Sequence, residues 1–303
     1  MTSLSNHGAS SNATARAALL IEGGGLRGAF SAGVLAELSK PDSPKFDDIV
    51  AVSSAAPSAA YMVTGQIEAG LKIWTDFTHG TQLISPFNLL KGRPLLDIDR
   101  LVRLFEQHIV LDTERLTQAN SRLWVVVTNC HTGKAEYVRA TKENAFALIK
   151  ATMALPIAYG RVVDVAGTPY IDGGVADAVP AKHTLGFGHD RTVLILTQPP
   201  QYRRKRSRTS AKIIARSYAS YPEIAKTIAV RWQTSNASLE LVDELESMGK
   251  IDVIRPHGPL AASRLSTSRR DICATLEAGR IAGRAWVEQV RRRAASQPSQ
   301  ANA

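Results

Sequence analysis

Short apolar runs alternate with amphipathic stretches between about residue 17 and residue 293. Apolar runs of about four to eight residues are typical of buried strands, and longer stretches with helical spacing are typical of helices. Their alternation predicts an α/β protein with a mostly parallel central sheet. The predicted strands are Ala17–Ile21, Ile49–Val52, Leu123–Thr128, Ala135–Arg139, Gly160–Val165, Thr168–Ile171, Thr192–Thr197 and Asp252–Arg255. The predicted helices are Ala29–Leu38, Ser54–Val63, Phe146–Ala154, a helix-rich stretch over Ser210–Met248, and Arg269–Arg293.

The domain organisation follows from where this pattern begins and ends. Residues 1–16 and 294–303 are polar and rich in small residues, a composition typical of disordered tails. Residues 17–293 are predicted to form one domain, with a helix-rich C-terminal part at 210–293. The N-terminus lacks the apolar core of a signal peptide, and no apolar run approaches the roughly 18 residues of a membrane span. We therefore expect a cytoplasmic protein.

Charge is distributed unevenly along the chain. The 303 residues include 37 Lys and Arg against 27 Asp and Glu, for a formal net charge of +10. Much of the excess lies in Arg291–Arg293 and in a mid-chain tract formed by Arg203, Arg204, Lys205, Arg206 and Arg208. Such a tract is typical either of a solvated loop or of contact with anionic phosphates. Only 6% of the residues are aromatic and none is interleaved with the tract, so we expect no nucleic-acid partner.

The sequence contains no pattern typical of a metal site or a disulfide framework. Cys130 and Cys273 lie far apart and form no CxxC spacing. None of the seven histidines has a spacing that marks it as a metal ligand or a base, including His183 and His189. We therefore expect no metal, and both cysteines are predicted to be reduced and buried.

A glycine-rich loop follows the first predicted strand. Gly23, Gly25 and Gly28 match the G-x-G-x-x-G dinucleotide fingerprint, but that site also requires an acidic residue after the second strand, where this chain has Ser53. The other interpretation is an oxyanion hole, because consecutive glycines allow several N–H groups at a helix N-terminus to face one small volume. Arg27 would add positive charge or fix the loop. A tight turn without a ligand is the third interpretation.

A serine pair follows the second predicted strand, at the position of a nucleophile elbow. The usual pattern is G-x-S-x-G, because the residues two before and two after the serine crowd each other. Choosing Ser53 places Ala51 and Ala55 at these sites, whereas choosing Ser54 places a β-branched valine there. Ser53 is therefore the predicted nucleophile. Serine is also a preferred helix N-cap, which is the structural alternative.

An aspartate ends the predicted strand Thr168–Ile171, in the sequence Asp172-Gly173-Gly174. One interpretation is an ordinary Asp-Gly hairpin turn. The other is a general base: a carboxylate shielded from water becomes basic enough to take a serine proton without a histidine.

These motifs, in this order, resemble the patatin-like phospholipases. Glu22 to Gly28, Ser53 and Asp172-Gly173-Gly174 match the motifs of that family, and two further segments are similar to it. Those segments are Ala151-Thr152-Met153-Ala154-Leu155-Pro156 and Ala178-Val179-Pro180. The resemblance covers about residues 17–200, and the tail with Gly279-Arg280 and Gly283-Arg284 is similar to a bacterial subgroup.

The resemblance implies an α/β/α sandwich that hydrolyses acyl lipids with a Ser53–Asp172 dyad, without a cofactor. It assigns the oxyanion hole to Gly23, Gly24 and Gly25 with Arg27 and Gly28, and it gives the basic tract a role at an anionic membrane surface, as a peripheral contact on the inner face. The alanines at the elbow depart from the family pattern. They leave open a weakly active or inactive protein that binds lipid or a partner, and the sequence does not disclose an oligomeric state.

Overall fold

A single sheet organises the structure, a computed structural model that describes residues 16–296 and omits the side chains of 208–211. Within this range the sheet has eight strands in the order β5-β6-β3-β2-β1-β7-β8, with β4 paired to β3. The strands are β1 (Ala17–Ile21), β2 (Asp48–Val52), β3 (Arg122–Asn129), β4 (Ala135–Arg139), β5 (Val163–Val165), β6 (Thr168–Asp172), β7 (Arg191–Ile195) and β8 (Asp252–Ile254). The pairings among β1, β2, β3, β7 and β8 are parallel, and those of β4, β5 and β6 are antiparallel. The predicted, mostly parallel α/β architecture is confirmed.

Helices cover both faces of the sheet. They are α1 (Gly28–Leu38), α2 (Ala55–Val63), α3 (Ile67–Lys72), α4 (Phe87–Leu90), α5 (Ile98–Gln107), α6 (Thr113–Gln118), α7 (Ala145–Met153), α8 (Ala181–Leu185), α9 (Arg208–Ser217), α10 (Pro222–Ser247) and α11 (Arg269–Ser296). The sequence pattern predicted no element between residues 64 and 121, where the structure has α3 to α6 and a π-helical turn at Ile73–Phe77.

The side chains of each parallel strand alternate between two apolar layers. Leu19 and Ile21 of β1 pack in the larger cluster with α1, α2 and α11. Leu20, between them, packs in a second cluster with residues of α8 and α10. The sheet is therefore buried on both faces, which explains why its central strands are continuous apolar runs rather than alternating ones.

The C-terminal helix α11 packs directly against α1. A Cβ at Gly279 would lie 2.0 Å from the Phe30 carbonyl oxygen, so only glycine allows the two backbones to approach this closely. Arg280 and Arg284 of α11 lie 3.9 and 3.6 Å from the buried carboxylate of Glu37 in α1. The Gly-Arg pairs of the tail therefore attach α11 to the core.

The ends of β2 and β6 meet on one edge of β3. Val52, the last residue of β2, pairs with Val126, while Asp172, the last residue of β6, pairs with the next residue, Val127. The opposite edge of β3 is occupied by β4, which pairs with the same two valines. Because β2 runs parallel to β3 and β6 runs antiparallel, their carboxyl ends point at each other. Residues 53 and 172 are therefore adjacent.

The predicted tails lie mostly outside the described residues. Residues 1–15 and 297–303 are not described, whereas Arg16 is attached: its N–H donates to the Asp190 carboxylate at 2.8 Å. Helix α11 continues to Ser296, three residues beyond the predicted end, because Ala294 and Ala295 favour a helix and the first proline after Arg293 is Pro298. Within residues 16–296, no helix is long and apolar enough to cross a membrane.

Candidate active site

Ser53 occupies a strained turn between β2 and α2. Its φ angle is +54°, in the left-handed region that residues other than glycine rarely adopt. Its N–H donates to Thr152 Oγ1 at 2.8 Å, and that hydroxyl donates in turn to the Val126 carbonyl at 2.6 Å. Ala51 and Ala55 on either side are fully buried. The elbow backbone is therefore formed with alanines in place of the usual glycines, and Thr152 holds it.

Asp172 faces Ser53 across the junction of the two strands. Ser53 Oγ donates to Asp172 Oδ2 at 2.6 Å, and the Gly174 N–H donates to Oδ1 at 2.8 Å. A Cβ at Gly173 would lie 2.0 Å from the Val126 carbonyl oxygen, so the turn passes against β3 only because residue 173 is glycine. Both carboxylate oxygens thus have fixed donors.

Burial makes Asp172 more basic than an ordinary aspartate. The side chain is almost completely buried. Desolvation raises the pKa of the Asp172 carboxyl, and the hydrogen bond from Ser53 and the positive charge of Arg231 oppose this only in part. The carboxylate is therefore suited to accept a proton.

One short segment positions both residues. Thr152 accepts the Ser53 N–H, and the carbonyl of Ala154 accepts the Asp172 N–H at 3.1 Å. Thr152 and Ala154 lie at the end of α7 in the Ala151–Pro156 segment that resembled the family. This segment therefore holds the backbone of both Ser53 and Asp172. The sequence did not indicate this role for Thr152 or Ala154.

The glycine loop borders the same cavity and has two free donors. The Gly24 N–H donates to Ser54 Oγ at 3.1 Å, and the Leu26 N–H donates to the Arg264 carbonyl at 3.0 Å. No described residue accepts a hydrogen bond from the N–H of Gly23 or Gly25. Both residues line the small cavity that contains Ser53 and Asp172. Gly28 lies inside α1 and packs on Ser54, so it is a packing residue.

Two charged residues at the ends of the glycine loop hold it in place, Glu22, which is buried, and Arg27, which is half-buried. Glu22 accepts hydrogen bonds from the N–H and hydroxyl of Thr197, and burial raises the pKa of its carboxyl. With the Gln198 amide oxygen directed at Arg27, that oxygen accepts from Nη1 at 2.9 Å and Nη2 at 3.0 Å. Arg27 therefore ties the loop to the chain after β7.

Two further cavities adjoin the small cavity at Ser53 and share lining residues with it. The first is apolar and is lined by residues that include Ile73, Trp74, Leu83, Ile84, Leu96 and Leu101. These side chains come from the segment 64–121, for which the sequence predicted no element. The second cavity, of about 640 Å³, carries Arg204, Arg231 and Arg264 among its lining residues.

The mid-chain basic tract does not form one uniform surface. Arg203 forms an ion pair with Asp243 at 2.8 Å, and Arg204 is partly buried and lines both the small Ser53 cavity and the 640 Å³ cavity. Lys205 and Arg206 are exposed at the rim of the larger cavity. Arg208 begins α9, and its side chain lies outside the described part of the chain. Membrane contact by this tract stays a prediction: Lys205 and Arg206 are its exposed described members, while Arg203 is paired with Asp243 and Arg204 faces the two cavities.

His183 and His189 lie away from Ser53. His189 Nε2 contacts the Asp48 carboxylate at 2.7 Å, at the amino ends of the parallel strands, and His183 stacks on Tyr137. Neither lines the cavity that contains Ser53 and Asp172.

Comparison with known proteins identifies the class. The family model described as patatin-like phospholipase matches residues 19–185, which is more than half of the chain. The protein therefore belongs to the patatin-like phospholipase family. A second model, described as a domain of unknown function (DUF6363), matches residues 221–294.

Two individual proteins are also similar to this chain. The uncharacterized protein YjjU of Escherichia coli K12 is 30% identical over 189 residues, which cover 61% of this chain and 53% of that protein. The chain thus matches about half the length of this relative. The crystal structure of VipD from Legionella pneumophila is similar in fold, with a TM-score of 0.50, 14% identity, and coverage of 91% of this chain and 67% of that one.

We expect Thr152→Val to destabilise the elbow. The substitution keeps the shape of the side chain, but it leaves the buried Ser53 N–H without an acceptor and should lower the free energy of unfolding by about 1–3 kcal/mol. Urea unfolding measures this change. Thr234→Val, at an exposed position of α10, is the matched control and should change stability by less than about 0.5 kcal/mol. Equal effects of the two variants would contradict the role of Thr152.

Asp172→Asn should stabilise the fold increasingly as the pH rises. The pKa of Asp172 is raised in the folded state, so the folded protein holds this proton more tightly than the unfolded chain does. The resulting stabilisation is fully present below the unfolded-state pKa and is lost as the pH rises through the folded-state pKa. Asparagine has no such titration. The free energy of unfolding of Asp172→Asn minus that of the wild type should therefore increase above about pH 4 and then level off. A constant difference between pH 3 and pH 8 would contradict the raised pKa.

Proposed function

We propose that the protein is a lipid acyl hydrolase in which Ser53 is the nucleophile and Asp172 is its general base. The observation that carries this proposal is the 2.6 Å contact between Ser53 Oγ and a buried carboxylate of raised pKa. Membership of the patatin-like phospholipase family supports it. No histidine is required, because the carboxylate itself accepts the proton.

The reaction would proceed through an acyl-enzyme. Asp172 removes the proton of Ser53 as Oγ attacks the ester carbonyl carbon, and the N–H groups of Gly23 and Gly25 are the candidate donors to the developing oxyanion. The ester C–O bond then breaks, and the leaving alcohol takes the proton from Asp172. Water, deprotonated by the same carboxylate, attacks the acyl-enzyme and releases the carboxylic acid and Ser53.

The apolar cavity suits the acyl chain of the substrate. Its lining includes Trp74, Leu96, Leu101 and Met153, and it reaches Ser53 directly. Burial of a hydrocarbon chain gains roughly 0.8 kcal/mol per methylene group, so this cavity would favour lipid esters over short polar esters.

The mouth of the site presents a mixed apolar and basic rim. Phe87, Leu89 and Leu90 of α4 are exposed by 66%, 59% and 85%. The chain on either side of α4 lines the two larger cavities, through Leu83 and Ile84 before it and Leu95 and Leu96 after it. Lys205 and Arg206 lie on the same rim. Apolar tips beside basic residues suit an anionic bilayer surface, so we propose that this face contacts membrane.

Ser53→Ala and Asp172→Asn should each lower kcat/KM for a lipid ester by at least about 10³-fold. A fluorophosphonate should label wild-type protein stoichiometrically, and peptide mapping should place the adduct on Ser53 and not on Ser54. The matched controls are Ser39→Ala, at the end of α1, and Asp164→Asn, on the exposed edge strand β5; both should keep wild-type activity. Absence of labelling in folded protein would instead support the non-catalytic lipid-binding alternative that the elbow alanines left open.

Membrane binding is tested by sedimentation with anionic vesicles. Leu90→Asp should weaken binding by about tenfold or more, because it removes a leucine from the lipid phase. Replacing Lys205 and Arg206 together by glutamine should weaken it further, in a salt-dependent manner, at about 1 kcal/mol per residue. Met248→Asp is the control, since Met248 is 55% exposed just before β8, at the opposite edge of the sheet. Unchanged binding of Leu90→Asp would contradict this orientation.

A further inference from the structure

Three arginines converge on the space between the Ser53 cavity and the larger cavity. Arg204, Arg231 and Arg264 line both, and Leu155 accompanies them. With Lys205, Arg206 and Lys212, the described lining of the 640 Å³ cavity has six cationic side chains and no carboxylate. A cavity of this size with one sign of charge concentrates ligands of the opposite sign.

The three arginines lack ionic partners among the described residues. None of their guanidinium groups lies within 4.0 Å of a described carboxylate, whereas Arg203, the neighbour of Arg204, is paired with Asp243. The Nε atom of Arg204 is buried without any hydrogen-bond partner in the described chain. Arg231 donates through Nε to the Gly174 carbonyl at 2.7 Å, which is a neutral acceptor. The cluster therefore has no ion pair within 4.0 Å among the described residues, although Asp172 acts on Arg204 and Arg231 at longer range.

The charges also act on one another. Desolvation and the nearby Arg204 lower the pKa of Arg231 to about 9, and desolvation and Arg264 lower the pKa of Arg204. With a pKa of about 9, Arg231 is charged at neutral pH. Placing like charges close together is unfavourable where burial removes part of their hydration. An anion bound between the guanidinium groups would reduce this repulsion.

The position of the three arginines relative to Ser53 indicates which portion of an ester substrate would contact them. The apolar cavity and the arginine-lined cavity both border the site, and the backbone carbonyl of Arg264 is attached to the glycine loop through Leu26. An ester with its carbonyl carbon at Ser53 and its acyl chain in the apolar cavity directs its alcohol portion toward Arg204, Arg231 and Arg264. In an acyl lipid, this portion carries the head group.

We propose that Arg204, Arg231 and Arg264 form a phosphate subsite that selects acyl esters carrying an anionic phosphate in the alcohol portion. The guanidinium group suits this ligand because its planar donors match phosphate oxygens in pairs. All three residues lie outside residues 19–185, and two of them lie within the C-terminal model of unknown function, so the proposal gives that part of the chain a role. It rests on the proposed acyl-hydrolase function for the placement of the ester.

Binding is measured on Ser53→Ala protein by calorimetry, so that turnover does not interfere. The ligands are a short-chain phosphatidic acid below its micelle concentration, the corresponding uncharged diacylglycerol, and inorganic phosphate. Phosphatidic acid should bind at least about tenfold more tightly than diacylglycerol. Phosphate alone, at millimolar concentration, should compete with it, and binding of phosphate as tight as that of phosphatidic acid would show that free phosphate is the ligand.

The variants separate the cluster from general charge effects. Arg204→Gln and Arg264→Gln should each weaken phosphatidic acid binding by about ten- to one-hundredfold, as expected for loss of a charge-assisted hydrogen bond. Arg203→Gln removes the same charge one residue away, from a side chain already paired with Asp243, and should leave binding unchanged. Equal weakening by Arg203→Gln, or none by Arg204→Gln and Arg264→Gln, would overturn the subsite.

The same experiment distinguishes this proposal from the proposed function. If phosphatidic acid binds in an Arg204-dependent manner while Ser53 resists fluorophosphonate in wild-type protein, the subsite stands and the hydrolase proposal fails. If Ser53 is labelled but the charged and uncharged lipids bind equally, the hydrolase proposal stands and the phosphate subsite fails.

Discussion

The meeting of β2 and β6 on one edge of β3 is the constraint on which the site depends. Neither strand continues past the other, because Val52 and Asp172 pair with consecutive residues of β3. The chain after Val52 must therefore turn sharply, and the turn places Ser53 in a left-handed conformation. Such a conformation costs roughly 1–3 kcal/mol and persists only when the surrounding structure holds it. Here Thr152 provides that support, through bonds to Ser53 and to Val126.

This arrangement explains why the motifs are far apart in sequence and still interdependent. Ser53 follows β2, Asp172 ends β6, and the segment around Thr152 and Ala154 binds the backbone of both. The three segments are thus joined by direct hydrogen bonds. The alanines at positions 51 and 55 are compatible with the turn, since the strained residue is the serine itself and both methyl groups are accommodated in the core.

The sequence predicted the sheet and its central helices closely, because buried parallel strands are continuous apolar runs with small, distinctive turns between them. It also indicated Ser53 and Asp172 as candidate site residues, because each lies in a short motif whose chemistry has a physical explanation. In the segment 64–121, α3, α4 and α6 have only four to six residues, and the π-helical turn that carries Trp74 has no recognisable pattern. Helix α5 did offer a signal that the sequence-based prediction missed, because Ile98, Leu101, Val102 and Phe105 have the spacing of one helix face. Asp97 and Asp112, which cap α5 and α6, were the available indications of helix starts.

The arginines show a different limit of sequence reasoning. Arg203 and Arg204 are neighbours in one basic tract, and nothing in the sequence distinguishes them. In the structure they differ, because Arg203 forms an ion pair with Asp243 of α10 and Arg204 lines the cavity. Arg231 lies on α10 and Arg264 precedes α11, so the C-terminal part of the chain contributes charge to the cavity at Ser53, which follows β2, and Asp172, which ends β6. This separation has a physical consequence. The turn at Ser53 depends on hydrogen bonds from other elements, whereas Arg204 and Arg264 lie in connecting segments that line an open cavity and form no part of β2, β3 or β6. If the proposed subsite is correct, recognition of the alcohol portion can change in the C-terminal region while the sheet continues to fix Ser53 and Asp172.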